Sequence, residues 1–150
     1  MSINEYEFYN GVVLNRLIRK GKALNIDIFP SKSANSFVIN DKVGIYIKYS
    51  RKVTSPWRFT FKKVHQDEMK IMSELLNKLY LILVCYDDGI VCLEYSEIKN
   101  ILNKDHEEYE WISASRLKRE QYKIQGSDGK LKFKVADNDF PSKIYLEIDK

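Results

Sequence analysis

Seven lysines and arginines, and no acidic residue, lie between Asp41 and Asp67. Lys48, Arg51, Lys52, Arg58, Lys62 and Lys63 make up most of that set, with Trp57, Phe59 and Phe61 interleaved. Clustered cations neutralise phosphates and release counterions, so the run points to a phosphate backbone. No base-reading motif accompanies it. Alternation along an extended segment puts Arg58, Thr60 and Lys62 on one face and Trp57, Phe59 and Phe61 on the other. The aromatic side is expected in the core and the cationic side in solvent. Lys48 shares a face with Tyr46 and Ser50. A second basic cluster, Arg116, Lys118 and Arg119, either extends this surface or pairs with Glu107, Glu108 and Glu110. DNA or RNA is the expected partner, recognised by charge and shape.

Other chemistries lack their residues. There is no phosphate-cradling glycine loop, no G-x-S-x-G and no H-E-x-x-H. His65 opens a helix and His106 sits in a charged loop, neither beside a nucleophile. Cys85 and Cys92 are the only cysteines, and with two distant histidines they do not make a zinc site. A two-residue hairpin turn at Asp88-Gly89 would set them opposite each other as small core residues.

The elements that position these groups follow from periodicity. Asn4 to Lys20 reads as a helix, with Asn4 and Glu7 as a capping box and Gly21 as its stop. Leu24 to Phe29, Ser36 to Ile39, Val43 to Tyr49 and Trp57 to Phe61 read as strands, and Asn40-Asp41 as a turn. A helix begins at Val64 and carries Met69, Met72, Leu75 and Leu79 on one side. Leu79 to Tyr86 is apolar on both faces, as a strand in mid-sheet must be. Ile90 to Tyr95 returns beside it, and a short helix runs from Ser96 to about Leu102. Tyr109 to Ser115, Tyr122 to Gln125 and Leu131 to Val135 read as strands, and Ser142 to Glu147 as an edge strand. The order implies an α+β domain with a central mixed sheet flanked by helices.

With 150 residues, 44% hydrophobic and 31% charged, one domain is expected, with a core over about 5–102 and a β-rich extension over about 109–147. The net charge of +4 and pI near 8.9 permit a polyanionic partner without requiring one. No apolar run approaches the ~20 residues that cross a bilayer, and the polar N-terminus is unlike a signal peptide. No membrane partner and a cytoplasmic, reducing location are expected.

The order of elements around FVIN, a turn and VGIYIKYS, then a helix and a buried strand, resembles the core of the restriction-endonuclease-like, PD-(D/E)XK family. The resemblance spans roughly Glu5 to Leu93. It implies a restriction-endonuclease-like core with extra C-terminal β-hairpins, and an endonuclease centre in which two carboxylates hold Mg²⁺ beside a lysine. Lys48 falls at the lysine position. Tyr46 replaces the acid two residues before it, and Asn35 or Ser36 replaces the acid at the first strand. On the resemblance, Asp27 and Lys48 are the catalytic candidates, and Glu7 and Asp27 the Mg²⁺ ligands. Should Glu7 and Asp27 not converge on Lys48, the domain is a fold relative without nuclease activity. A second reading is a protein-interaction module that forms a homodimer, since ten Tyr and two Trp are many for this length.

Overall fold

The computed structural model describes residues 2–103, 105 and 109–150. His106, Glu107 and Glu108 lie outside the described residues. The chain runs α1 (Glu5–Ile18), β1 (Ile26–Ile28), β2 (Ser36–Ile39), β3 (Val43–Ser50), β4 (Trp57–Lys62) and α2 (Lys63–Leu75). It continues with β5 (Lys78–Cys85), β6 (Gly89–Glu94), α3 (Tyr95–Ile98), β7 (Tyr109–Ser115), β8 (Lys123–Gly126), β9 (Gly129–Lys130) and α4 (Asp139–Ile148). This is an α+β fold with two sheets. One is mixed, in the order β1-β2-β3-β5-β6, and the other is antiparallel, in the order β4-β7-β8-β9.

β5 is the reason for the layering. Its side chains alternate between two apolar clusters because every residue from Leu79 to Cys85 is buried. Tyr80, Ile82 and Val84 pack with Val13 and Leu17 of α1 and Ile144 and Tyr145 of α4. Leu79, Leu81, Leu83 and Cys85 pack with Trp57, Phe59, Phe61, Ile112, Ala114 and Ile124, the inner face of the second sheet, and with Met69 and Met72 of α2. Large aromatic side chains contribute most there, at about 1.5–3 kcal/mol each when fully buried.

The pairing of β4 is not marked in the sequence, and three expectations need correction. β4 leaves the first sheet and pairs with β7, Trp57 opposite Ala114 and Lys62 opposite Tyr109. Residues after 109 supply five of the twenty buried residues of one core cluster, Ile112, Ala114, Tyr122, Ile124 and Val135. Ser142 to Glu147 is helical, within α4. Ile144, Leu146 and Ile148 alternate like a strand in the sequence. The helix instead buries Phe140, Ile144 and Tyr145 and leaves Leu146 exposed. Leu131 to Val135 forms only a single bridge, Val135 to Tyr122. Finally, Cys85 faces Gly89 and Cys92 faces Ile82, so the free thiols lie on opposite faces of the sheet.

Two glycines test the packing in opposite directions. A methyl on Gly126 would collide with the Ile101 carbonyl, whereas one on Gly11 in α1 meets nothing within 4 Å. Gly126→Ala is expected to destabilise the fold by roughly 1–3 kcal/mol. Gly11→Ala is expected to stabilise it by about 0.5–1 kcal/mol. Urea unfolding of the two variants checks both signs.

Candidate nucleic-acid interface

The second sheet has one covered face and one free face. On β4, Arg58, Thr60 and Lys62 are exposed and alternate with buried Trp57, Phe59 and Phe61, as the alternation predicts. Pairing carries that outer face across the sheet. Arg58 lies opposite Ser113, Ser113 opposite Gln125, and Gln125 opposite Lys130. Thr60 stands opposite Trp111, Lys62 opposite Tyr109, and Ser115 opposite Lys123. Directly paired residues project to the same side. Arg58, Lys62, Lys123 and Lys130 therefore share a face with Tyr109 and Trp111, and no outward strand residue there is acidic. The one acid on these strands, Glu110, is buried and accepts from Gln66 Nε2. The Arg58 guanidinium sits 4.5 Å from the Trp111 ring centroid, a cation–π contact at the middle of the face.

The other basic candidates, Lys48 aside, divide into four groups. Arg51 and Lys52 are exposed in the β3–β4 connection, and Arg51 reaches Glu5 at 3.4 Å. Lys63 begins α2 and pairs with Asp67 at 3.2 Å. Arg116 turns inward: its Nε donates to Asp88 at 2.8 Å, and its guanidinium lies 4.1 Å from the Tyr122 centroid. It clamps the chain after β7 onto the β5–β6 turn and does not join the surface. Lys118 and Arg119 line a separate cleft of about 860 Å³ with Arg16, Arg19 and Lys20.

Lys48 lies apart from all of these. Its side of β3 faces the core, beside buried Tyr46. Its Nζ donates to the Thr60 carbonyl at 2.6 Å, lies 3.3 Å from His65 Nδ1, and sits 4.9 Å from the Phe61 centroid. Burial, together with the Lys62 charge, lowers its pKa to about 8, against the opposing pull of Glu68. His65 Nδ1 also accepts the Lys62 N–H at 3.1 Å, which assigns the ring proton to Nε2. Burial and the Lys48 charge lower His65 to about 4. A cleft of about 440 Å³ opens here, lined among others by Glu5, Asn10, Asn35, Lys48, Arg51 and His65.

Glu68, on α2, is the buried carboxylate of this region. It accepts from Tyr46 Oη at 2.7 Å, Ser33 Oγ at 2.7 Å and the backbone N–H groups of Lys32 and Ser33 at 3.0 and 3.2 Å. Burial raises its pKa, but those four donors outweigh it and hold the group below the usual carboxylate range. Burial and the same carboxylate push the Tyr46 phenol up.

The carboxylates expected around Lys48 are elsewhere. Asp27 pairs with Val38, which pairs with Gly44. It is thus two strands across and four residues along from Lys48, about 16 Å away. Glu7 caps its own helix by accepting the Asn4 N–H at 3.1 Å. Glu5 is the α1 carboxylate at the cleft. Among the described residues, no group of three or more His, Cys, Asp or Glu could hold a metal ion. No helix among them is long and apolar enough to cross a membrane. Tyr109, Trp111, Lys123 and Lys130 do not stand out in the sequence. Alternation within β7 and β8 groups them by face, but only the β4–β7 pairing places that face beside Arg58. Comparisons with protein-family models, curated proteins and solved structures find no match for this chain.

Tyr46→Phe removes one donor from a buried charge and is expected to cost about 1.5–3 kcal/mol at neutral pH. With the folded pKa of Glu68 depressed, its contribution is present above the unfolded carboxylate value and is lost as pH falls through the folded one. The gap between Tyr46→Phe and the parent chain should therefore shrink in acid, as read by urea unfolding at neutral and acid pH.

Proposed function

We propose that this chain is a nucleic-acid-binding domain that grips the phosphate backbone of DNA or RNA across the outer face of its antiparallel sheet. The observation that carries the reading is the acid-free set of Arg58, Lys62, Lys123 and Lys130 around Tyr109 and Trp111. Cations track phosphates, and exposed rings stack on bases that are not paired, so a single strand suits the face better than a duplex. Arg51, Lys52 and Lys63 flank it. The ion pairs of Arg51 and Lys63 are exposed and weak, so a phosphate competes well for both cations.

On this reading the endonuclease-like resemblance describes a restriction-endonuclease-like scaffold with a degenerate centre. Tyr46, and Asn35 or Ser36, stand where carboxylates are expected, and a phenol that stays protonated is no substitute for a Mg²⁺ ligand. Addition of Mg²⁺ is expected to leave bound strands uncut.

Fluorescence anisotropy with a labelled single strand, at salt from about 50 to 200 mM, tests the proposal. Affinity should fall steeply with salt. Arg58→Glu with Lys62→Glu should flatten the log–log slope by about 0.7 for each phosphate no longer neutralised. Trp111→Ala should cost about 1–3 kcal/mol by removing a stacking ring. Salt-independent binding, or binding unchanged in both variants, would overturn the reading. A self-associating interaction module is the second reading. It is favoured by an apolar groove of Phe29, Pro30, Val64 and Ile71 beside Ile28, which is 77% exposed on the edge strand β1. A concentration-dependent dimer without strand affinity, read by sedimentation, would select it.

A further inference from the structure

We infer that Lys48 is a carbonyl-reactive amine, which condenses in its cleft with an aldehyde that carries a neighbouring phosphate. The form that fits the adjoining face is the ring-opened sugar of an abasic site in a bound strand. That choice of substrate rests on the nucleic-acid reading; the amine chemistry does not.

Hydrogen bonding makes the case. A neutral lysine amine has two N–H groups and one lone pair. The Thr60 carbonyl has no proton to give, and His65 Nδ1 already accepts the Lys62 N–H. The single Nδ1 lone pair is shared between the Lys62 and Lys48 N–H groups, so both partners of Lys48 are acceptors and neither donates to its amine nitrogen. No carboxylate among the described residues forms an ion pair with Lys48. The charged and titratable groups around it are Lys62 on β4, His65 and Glu68 on α2, Glu5 on α1 and Arg51 after β3. Glu68, the buried acid among them, is occupied by Tyr46, Ser33 and Lys32. At about pH 7.5, a pKa of about 8 leaves roughly a quarter of the side chain as free amine, against about one part in a thousand for an ordinary lysine.

The cleft supplies the rest. Its space of about 440 Å³ admits a sugar-sized aldehyde, and Arg51 on its lining offers a cation for the adjacent phosphate. The cleft abuts β4, the edge strand of the cationic face, through the Lys48–Thr60 bond. In the reaction the Nζ lone pair attacks the carbonyl carbon. The two amine hydrogens leave with the carbonyl oxygen as water, and a C=N bond remains. No oxidant or metal is consumed.

Reductive trapping tests this. The full chain is incubated with cyanoborohydride and, in separate arms, an abasic-site oligonucleotide and glyceraldehyde 3-phosphate below one equivalent; adducts are then mapped by peptide mass. The expected result is an adduct at Lys48 in both arms and its loss in Lys48→Arg, which keeps the cation. Thermal unfolding checks that this variant is folded. The Arg58→Glu, Lys123→Glu variant should lose the oligonucleotide adduct and keep the small-aldehyde one, since neither residue is among the charges that act on Lys48. An adduct with the free aldehyde alone would keep Lys48 as the reactive amine and remove the strand as its substrate. Adducts spread over other lysines, adducts retained in Lys48→Arg, or no adduct in either arm would overturn the inference.

Discussion

A strand that is apolar on both faces must be covered twice, and β5 imposes that demand on everything around it. Helices α1 and α4 cover one side and the second sheet covers the other, with α2 beside it. Covering β5 this way uses only the inner face of the second sheet. Its outer face is left as a rigid, one-sided platform, and hydrophobic burial, which fixes the inner residues, places no constraint on the outer ones. The cations and rings found there are free to serve a ligand.

The same packing sorts the basic residues by environment. Arg58 and Lys62 keep their water because their strand alternates cleanly. Arg116 gives it up and recovers the cost through Asp88, Asp137 and the Tyr122 ring. This half-buried arrangement ties the β7–β8 connection to the β5–β6 turn. Lys48 is different again. It is half-buried and, among the described residues, forms no ion pair with a carboxylate; its partners are the Thr60 carbonyl and the His65 ring.

Much of the local structure was legible. The strands Ser36 to Ile39 and Tyr109 to Ser115 coincide with β2 and β7 because each has turn residues or charge at its ends and β-prone residues between them. The inward rings and outward cations of β4 followed from a period of two. The alternating run Ile144 to Ile148 did not reveal its helix, because alternation and helical spacing coincide over so few residues. Glu68 stayed hidden among the charged residues of α2. Nothing in its neighbours' identity says that Tyr46, far away in the chain, points at it.

Sequence alone determined the elements, the sign of the charge on β4 and the need for two covers over β5, since each depends on residues close in the chain. Tertiary structure decided which strand β4 joined, and hence that Tyr109, Trp111, Lys123 and Lys130 share its outer face. It also decided that Asp27 ends far from Lys48, and that Lys48 is turned inward rather than displayed. Those outcomes depend on strand partners and register, which residues distant in the chain settle jointly through packing, and no local pattern encodes them.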